Sequence, residues 1–323
     1  MKPYWQGVFP AVTTQLAQDE SLDLPATARH LEVLLESGVA GVIMLGSLGE
    51  NQALSSEEKR QVVRCAVETV AGRAPVLSGV AETSTEAACH YARACEELGA
   101  DGLMLMPPMV YKGDPSETMT FARTVAGATG LPIMVYNNPV SYGNDLTPAR
   151  FAELAAVKNL VALKESSGDS RRVTDLRNTV GDRYALFVGV DDLALEAAVL
   201  GIDGWVAGVG LAVPRENQWF WELTRQGRWE EARAVYRWFT PLLHLDTHPK
   251  FVHYIKLAIQ EAGLGREWVR RPRLPLVGEE RSRILRIIRQ ALAARPAIPP
   301  RTQSRPAPVA PPRSAAARRK PAA

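Results

Sequence analysis

The sequence predicts an α/β fold, a (β/α)8 TIM barrel with a C-terminal three-helix extension and a disordered Pro/Arg-rich tail. Three observations carry that expectation. Short apolar, β-rich runs recur about every thirty residues, and stretches with helical 3.6-residue spacing separate them. Most of the runs are also apolar at successive positions rather than alternating, as in strands covered on both faces.

The runs are, in order, GVFPAVTT from Gly7, GVIMLGS from Gly41, PVLSGVAE from Pro75, GLMLMPP from Gly102, LPIMVYNNP from Leu131, LVALKES from Leu160, YALFVGV from Tyr184 and GWVAGVG from Gly204. Helix starts stand between them at Ser55-Ser56-Glu57-Glu58, Thr83-Ser84-Thr85-Glu86 and Thr147-Pro148, where a hydroxyl can cap the first turn. Glycines in ESGVAG, AGR, ELGADG and LGIDG close the helices and lead into the next strand. The competing doubly wound open sheet would need a phosphate-binding glycine fingerprint after its first strand, where this chain reads QLAQDESLD.

After about Gln226 the strands stop, and helical segments are expected near 228–243, 249–263 and 278–294. Trp229, Tyr236 and Phe239 recur at helical spacing, the pattern of a packing face. The expected organisation is therefore a catalytic barrel over 1–225, a helical extension over 226–295 and a tail over 296–323. The tail holds eight prolines and six Arg or Lys without an acid, a composition that cannot bury a core. Subtracting its six charges from the overall +3 leaves the remainder at −3. A solvated extension is the expectation for the tail; the sharper reading is weak binding to anionic surfaces through Arg318, Arg319 and Lys320.

The 46% hydrophobic and 23% charged fractions fit a globular chain with ample core material. No apolar run approaches the roughly 20 residues of a membrane-spanning helix, and no secretory leader pattern opens the chain, so a cytoplasmic location is expected. Cys65, Cys89 and Cys95 lack CxxC spacing and read as small buried hydrophobes.

Barrel enzymes collect their reactive groups at the C-terminal ends of the strands. The polar residues closing the runs are Thr13, Thr14, Ser47, Glu82, Tyr136, Lys164, Asp191 and Asp192. Lys164 follows four apolar residues. Burial there favours the neutral amine, a nucleophile able to form a Schiff base with a carbonyl, although a lysine can also snorkel out of a strand end. Tyr136 closes the preceding strand, where a phenol can move the protons that imine formation requires or simply pack. The glycine-flanked turn GSLGE offers backbone N–H groups and the Ser47 hydroxyl to a carboxylate. Amine, phenol and anion pocket together point to a 2-oxo acid.

GSLGE, the YNNP whose tyrosine lies twenty-eight residues before the lysine, and LKESSGD stand in order on the expected strands. With them the chain, over roughly residues 4 to 294, resembles the dihydrodipicolinate synthase and N-acetylneuraminate lyase superfamily, class I aldolases that work through a Schiff base. The resemblance implies that Lys164 forms the imine and Tyr136 transfers protons. It further implies that Ser47 and the Ser47–Leu48 amides hold the substrate carboxylate, and that Val206 lines the pocket with its carbonyl. It implies no metal, no organic cofactor and a homotetramer, with a small 2-oxo acid as partner and neither membrane nor nucleic acid.

The departures bear on the second substrate. Synthase members carry two threonines in the turn, an arginine two residues after the YNxP proline and a paired tyrosine after the fourth strand; here stand Ser47-Leu48, Ser141, and Met109-Val110 followed by Tyr111. Without a guanidinium at Ser141 the grip on a second carboxylate is missing, which argues against the lysine-biosynthesis reaction. Leu48 also resembles the branch that deaminates 4-hydroxy-1-pyrroline-2-carboxylate. Ser166, Ser167, Asp191 and Asp192 stand where the family's lyases bind hydroxyls, although both pairs could equally be helix caps. His244 and His248 flank Asp246 at metal-like spacing, but the segment is expected away from the barrel mouth and carries no metal role. The expected function is a lyase acting on pyruvate or a hydroxylated 2-oxo acid. The alternatives are 4-hydroxy-tetrahydrodipicolinate synthase and a non-catalytic metabolite-binding barrel.

Overall fold

The structure, a computed structural model, describes residues 5–108 and 111–299. Met109, Val110 and the tail from Pro300 onward, on which some of the sequence expectations fall, lie outside the described residues.

Eight strands form one parallel sheet: β1 Gly7–Val8, β2 Val42–Met44, β3 Val76–Val80, β4 Gly102–Leu105, β5 Ile133–Asn137, β6 Leu160–Glu165, β7 Ala185–Val188 and β8 Gly204–Trp205. Strands β2 to β8 pair in sequence order, β1 pairs with β8, and the ring closes where Ala11 bridges Ile43. All eight apolar runs thus contain the expected strands. The first run yields only two strand residues because Pro10 has no N–H to donate to a ladder. Its backbone stays paired nonetheless, with Phe9 N to Trp205 O at 2.9 Å, Ala11 N to Ala207 O at 2.8 Å and Ile43 N to Pro10 O at 2.9 Å.

Around the barrel run helices α1 Leu24–Ser37, α2 Ser56–Val70, α3 Thr85–Glu97, α4 Pro115–Gly127, α5 Pro139–Tyr142, α6 Pro148–Leu154, α7 Arg171–Val180, α8 Ala194–Val199 and α9 Pro214–Arg225. The three C-terminal helices are α10 Trp229–Leu243, α11 Phe251–Glu261 and α12 Gly278–Ala293, each within a few residues of its expected span. The caps read from sequence form locally: Ser55 accepts from Glu58 N while Glu58 reaches back to the Ser55 amide, and Ser84 accepts from Ala87 N. Thr147 sits at its N-cap without a side-chain bond.

The barrel interior is filled by buried side chains such as Phe9, Leu77, Met104, Met134 and Phe187. Phe9 and Phe187 meet edge to face at 5.3 Å between centroids. Gly204 is small because of Phe187: a Cβ there would lie 2.2 Å from its ring. The expected packing role of Tyr236 and Phe239 holds. Tyr236 stacks on Phe220 at 5.5 Å and Phe239 meets Trp205 at 6.3 Å, seating α10 against α9 and the end of β8.

Candidate active site

Strand register brings the two principal residues together. In the parallel β5–β6 pair Tyr136 lies opposite Lys164 and Asn137 opposite Glu165, so alternation sends Tyr136 and Lys164 to one face and the other two to the opposite face. The Lys164 ammonium nitrogen lies 4.0 Å from the Tyr136 ring centroid, and each residue is 7% exposed. Behind the strand Glu165 is held by Asn137 Nδ2 at 3.0 Å and Ser167 N at 2.6 Å, which pins the β6 end.

Burial lowers the Lys164 pKa. The Tyr142 phenol and the Asp246 and Asp191 carboxylates oppose it by favouring the ammonium. Burial also raises the Tyr136 phenol, with the Asp246 carboxylate pushing the same way, while Asn138 acts against them by donating Nδ2 to the phenol oxygen at 2.9 Å. With its oxygen occupied as an acceptor, the Tyr136 hydroxyl proton is free to be given away. The same Asn138 accepts from Ser141 N at 2.9 Å, so one side chain caps α5 and aims the phenol.

The GSLGE turn is built as an anchored loop. Asn51 Nδ2 donates to Leu45 O at 2.9 Å and Gly79 O at 3.1 Å, and Thr14 Oγ1 donates to Gly49 O at 2.7 Å. Glu50, at a left-handed φ of 57°, ends the turn with its carboxylate fully buried. Ser47 is half-buried, and its hydroxyl shares a short hydrogen bond with the Tyr142 phenol. The Tyr142 ring stands edge to face against Tyr136 at 5.6 Å. Tyr142 was not singled out from sequence. Its signal was there, since Pro139 and Gly143 bracket one helical turn that sets Tyr142 four residues from Asn138 on the same side.

The remaining expected residues divide. Ser166 is buried beside Lys164, and its Oγ lacks a hydrogen-bond partner. Gly189 opposite makes room for both, because a Cβ would lie 2.2 Å from Ser166 Oγ and 2.4 Å from Lys164 Cε. Leu48 and Val206 are buried, Val206 N bonding Val188 O at 2.9 Å. Ser141 is exposed. Tyr111 is 60% exposed and its phenol is engaged by Glu117, so within this chain it stands apart from the lysine. Glu82 pairs with Lys59 at 2.6 Å. Asp191 is fully buried and its oxygens already accept from Trp205 Nε1 at 3.0 Å, Gly208 N at 3.1 Å and Val209 N at 2.7 Å, so it spends its acceptors on shaping the mouth.

The segment around Asp246 is a correction. Expected away from the barrel mouth, it lies over it, because α10 packs against α8, α9 and the turn at Asp191–Leu193 and so ends at the mouth. His244 Nδ1 meets Asp192 Oδ2 at 2.8 Å, and the Tyr236 hydroxyl donates to Asp192 O. Asp246 then reaches Gly208, where a Cβ would stand 2.7 Å from Asp246 Oδ1 and 3.3 Å from Asp191 Oδ2. Among the described residues no cluster of three or more His, Cys, Asp or Glu could hold a metal, and no helix is long and apolar enough to cross a membrane.

A lysine amine and a phenol at adjacent strand ends of a parallel eight-stranded barrel define a class I aldolase-type lyase. Residues 4–291 match the model of the dihydrodipicolinate synthetase family, and the chain belongs to that family. The 4-hydroxy-tetrahydrodipicolinate synthase of Xanthomonas campestris is 33% identical over 89% of this chain and 95% of its own, and that of Methanosarcina barkeri 31% identical over 84% and 93%. Among solved structures, a prophage protein of the dihydrodipicolinic acid synthase family from E. coli K12, in complex with pyruvate, superposes with a TM-score of 0.84. It is 27% identical over 90% of this chain and 99% of that one. A dihydrodipicolinate synthase from Bacillus anthracis reaches a TM-score of 0.86 at 26% identity, covering 92% of this chain and 100% of its own.

Proposed function

We propose that the protein condenses Lys164 with the keto carbon of pyruvate or a hydroxylated 2-oxo acid and then adds the pyruvate enamine to an acceptor, or cleaves or eliminates from the imine of the longer acid. The observation that carries this reading is the buried Lys164 amine 4.0 Å from the Tyr136 ring, with the phenol oxygen steadied by Asn138. Lys164 attacks C2, and Tyr136 gives its proton to the carbinolamine hydroxyl as it leaves as water. The phenolate then takes a C3 proton, and the protonated imine draws the electron pair into a C2=C3 enamine. Ser47, with the turn amides, holds the carboxylate, and its bond to Tyr142 links the pocket to a second phenol.

For the second half-reaction we favour a hydroxylated 2-oxo acid or 4-hydroxy-1-pyrroline-2-carboxylate over aspartate semialdehyde. Ser141 is exposed and brings no guanidinium to a second carboxylate. The synthase reading keeps the support of the relatives' names. The decisive experiment is borohydride reduction in the presence of pyruvate, followed by mass spectrometry. A stable adduct on Lys164 that is absent from Lys164→Ala supports the proposal. No adduct with any 2-oxo acid would sink it in favour of a non-catalytic binding barrel. Rapid turnover of pyruvate with aspartate semialdehyde would instead establish the synthase. The reading extends to a cytoplasmic homotetramer, as the resemblance implies, and light scattering on the purified chain tests the assembly.

A further inference from the structure

We propose that Asp246 is the general acid of the second half-reaction. It would protonate the hydroxyl leaving C4 of a 2-oxo acid held on Lys164, and so direct the enzyme to loss of water rather than to cleavage of the C3–C4 bond. The inference rests on the Schiff-base reading of Lys164 and deepens it.

The geometry begins with the clamp on the α10–α11 connection. His244 and Tyr236 grip Asp192 by its carboxylate and carbonyl, which fixes the segment carrying Asp246 above the β7 and β8 ends. Asp246 and Asp191 then face one another across the Cα of Gly208, the only kind of residue that fits between them. Asp191 receives N–H bonds from Trp205, Gly208 and Val209, donors that a carboxylate anion satisfies and a protonated acid does not. Neighbouring carboxyls resist ionising together; Asp246, whose donor is the Asp191 backbone N–H and whose charged form is otherwise favoured by Lys164, is the more weakly held of the two and keeps the proton. Burial, with the Asp191 charge beside it, raises the Asp246 carboxyl well above the usual carboxylate range, and Asp191 itself is pushed up to about 6. When ionised, Asp246 favours the Lys164 ammonium and raises the Tyr136 phenol, so both lie within its electrostatic reach. Asp192, paired with His244, is the remaining charge facing it.

Chemically, a neutral acid at this place selects between two fates of the same imine. Aldol cleavage needs a base to take the proton from the C4 hydroxyl. Elimination needs an acid to give it one. In the elimination the enamine pair forms C3=C4 as the C4–O bond breaks, the C2 iminium is restored, and the oxygen leaves as water with the Asp246 proton. No oxidant or reductant is required, and the next turnover reprotonates Asp246 from solvent.

The test compares the parent chain, Asp246→Asn and Asp246→Glu with pyruvate, 4-hydroxy-1-pyrroline-2-carboxylate and 4-hydroxy-2-oxoglutarate. The expected result is that Asp246→Asn still forms the borohydride-trapped pyruvate adduct on Lys164, while kcat for ammonia release from the hydroxypyrroline falls at least about 100-fold. Asp246→Glu should recover part of that loss, and the alkaline limb of the parent's kcat profile should vanish in Asp246→Asn. Turnover by Asp246→Asn within about threefold of the parent overturns the proposal while leaving the imine intact. Loss of the adduct in both variants overturns it in favour of a structural role. Glyoxylate release from 4-hydroxy-2-oxoglutarate as the dominant activity of the parent overturns it as well. A parent chain that forms no adduct removes the Lys164 reading itself.

Discussion

Lys256 Nζ lies 2.6 Å from Glu50 Oε1 with neither side chain exposed, and this pair joins α11 to the turn that carries Ser47. Glu50 is further held by Arg270 N at 2.9 Å and by Arg273 at 3.5 Å, so α11 and the segment joining it to α12 clasp the end of the turn. Burial lowers the Lys256 pKa and Glu50 restores it. Without Lys256 the buried Glu50 charge keeps only the Arg270 N–H and the more distant Arg273, with no route to water. Lys256→Met is therefore expected to cost about 3–5 kcal/mol, whereas Lys256→Met combined with Glu50→Gln should cost less than the sum of the two single changes. Urea unfolding of the four proteins measures the coupling. Additive losses would show that the pair does not act as a unit.

The depressed Lys164 has a consequence of definite sign. The folded chain binds fewer protons at this amine than the unfolded chain between the lowered pKa and the ordinary value of about 10.4, so the lysine costs stability at neutral pH and the cost shrinks as pH rises. Lys164→Met should hence raise Tm at about pH 7 while abolishing the pyruvate adduct, a stability gain obtained by removing function. In the parent chain the rate of adduct formation should climb with pH and level off below pH 10. A plateau at the ordinary lysine value would contradict the burial argument.

How much of this could be read from the sequence depends on how local the determinants are. Lys164 and Tyr136 were legible because an apolar run fixes a strand, the strand end fixes the barrel mouth, and the 2-residue period puts both side chains inward. Ser47 was legible through its glycines. Tyr142 was missed because a single helical turn leaves almost no periodicity to count, although Pro139 and Gly143 marked its ends. Asp246 was misplaced for a different reason. Its position depends on how α10 packs against earlier elements of the chain, through Asp192 and Phe220, and no spacing near His244 reports that. Asp191 shows another limit, since spacing marks an acidic residue at a strand end but not the three donors from the following strand and loop that it accepts from.

His30 sets an acid limit on the fold. Its Nε2 bonds the Leu211 carbonyl at 2.9 Å, fastening α1 to the turn after β8, and burial pushes its pKa down to about 4. Unfolding releases an ordinary histidine of about 6.5, so the unfolded state binds the extra proton between those values. Stability is free of this penalty above about pH 6.5 and falls as pH drops through the window, by on the order of 3 kcal/mol once pH 4 is passed. His30→Gln should lower stability near pH 7 by loss of fit yet flatten its pH dependence between 4 and 6.5. Thermal unfolding across that range measures both, and an unchanged slope would exclude His30 as the titrating group.

Tyr142→Phe separates the second phenol's chemistry from its packing. The ring would keep its edge-to-face contact with Tyr136, and the loss is confined to the hydroxyl shared with Ser47. Stability should change by about 1 kcal/mol, the net worth of one partly buried hydrogen bond. If the Ser47–Tyr142 bond serves proton movement to and from the pocket, adduct formation with pyruvate should slow about 10- to 100-fold, less than the roughly 100- to 10,000-fold expected for Tyr136→Phe, whose oxygen meets the carbinolamine directly. The double variant should be no slower than Tyr136→Phe alone, because two members of one relay lose the same step. Stopped-flow measurement of imine formation reads all three, and multiplicative losses in the double variant would place Tyr142 outside the relay.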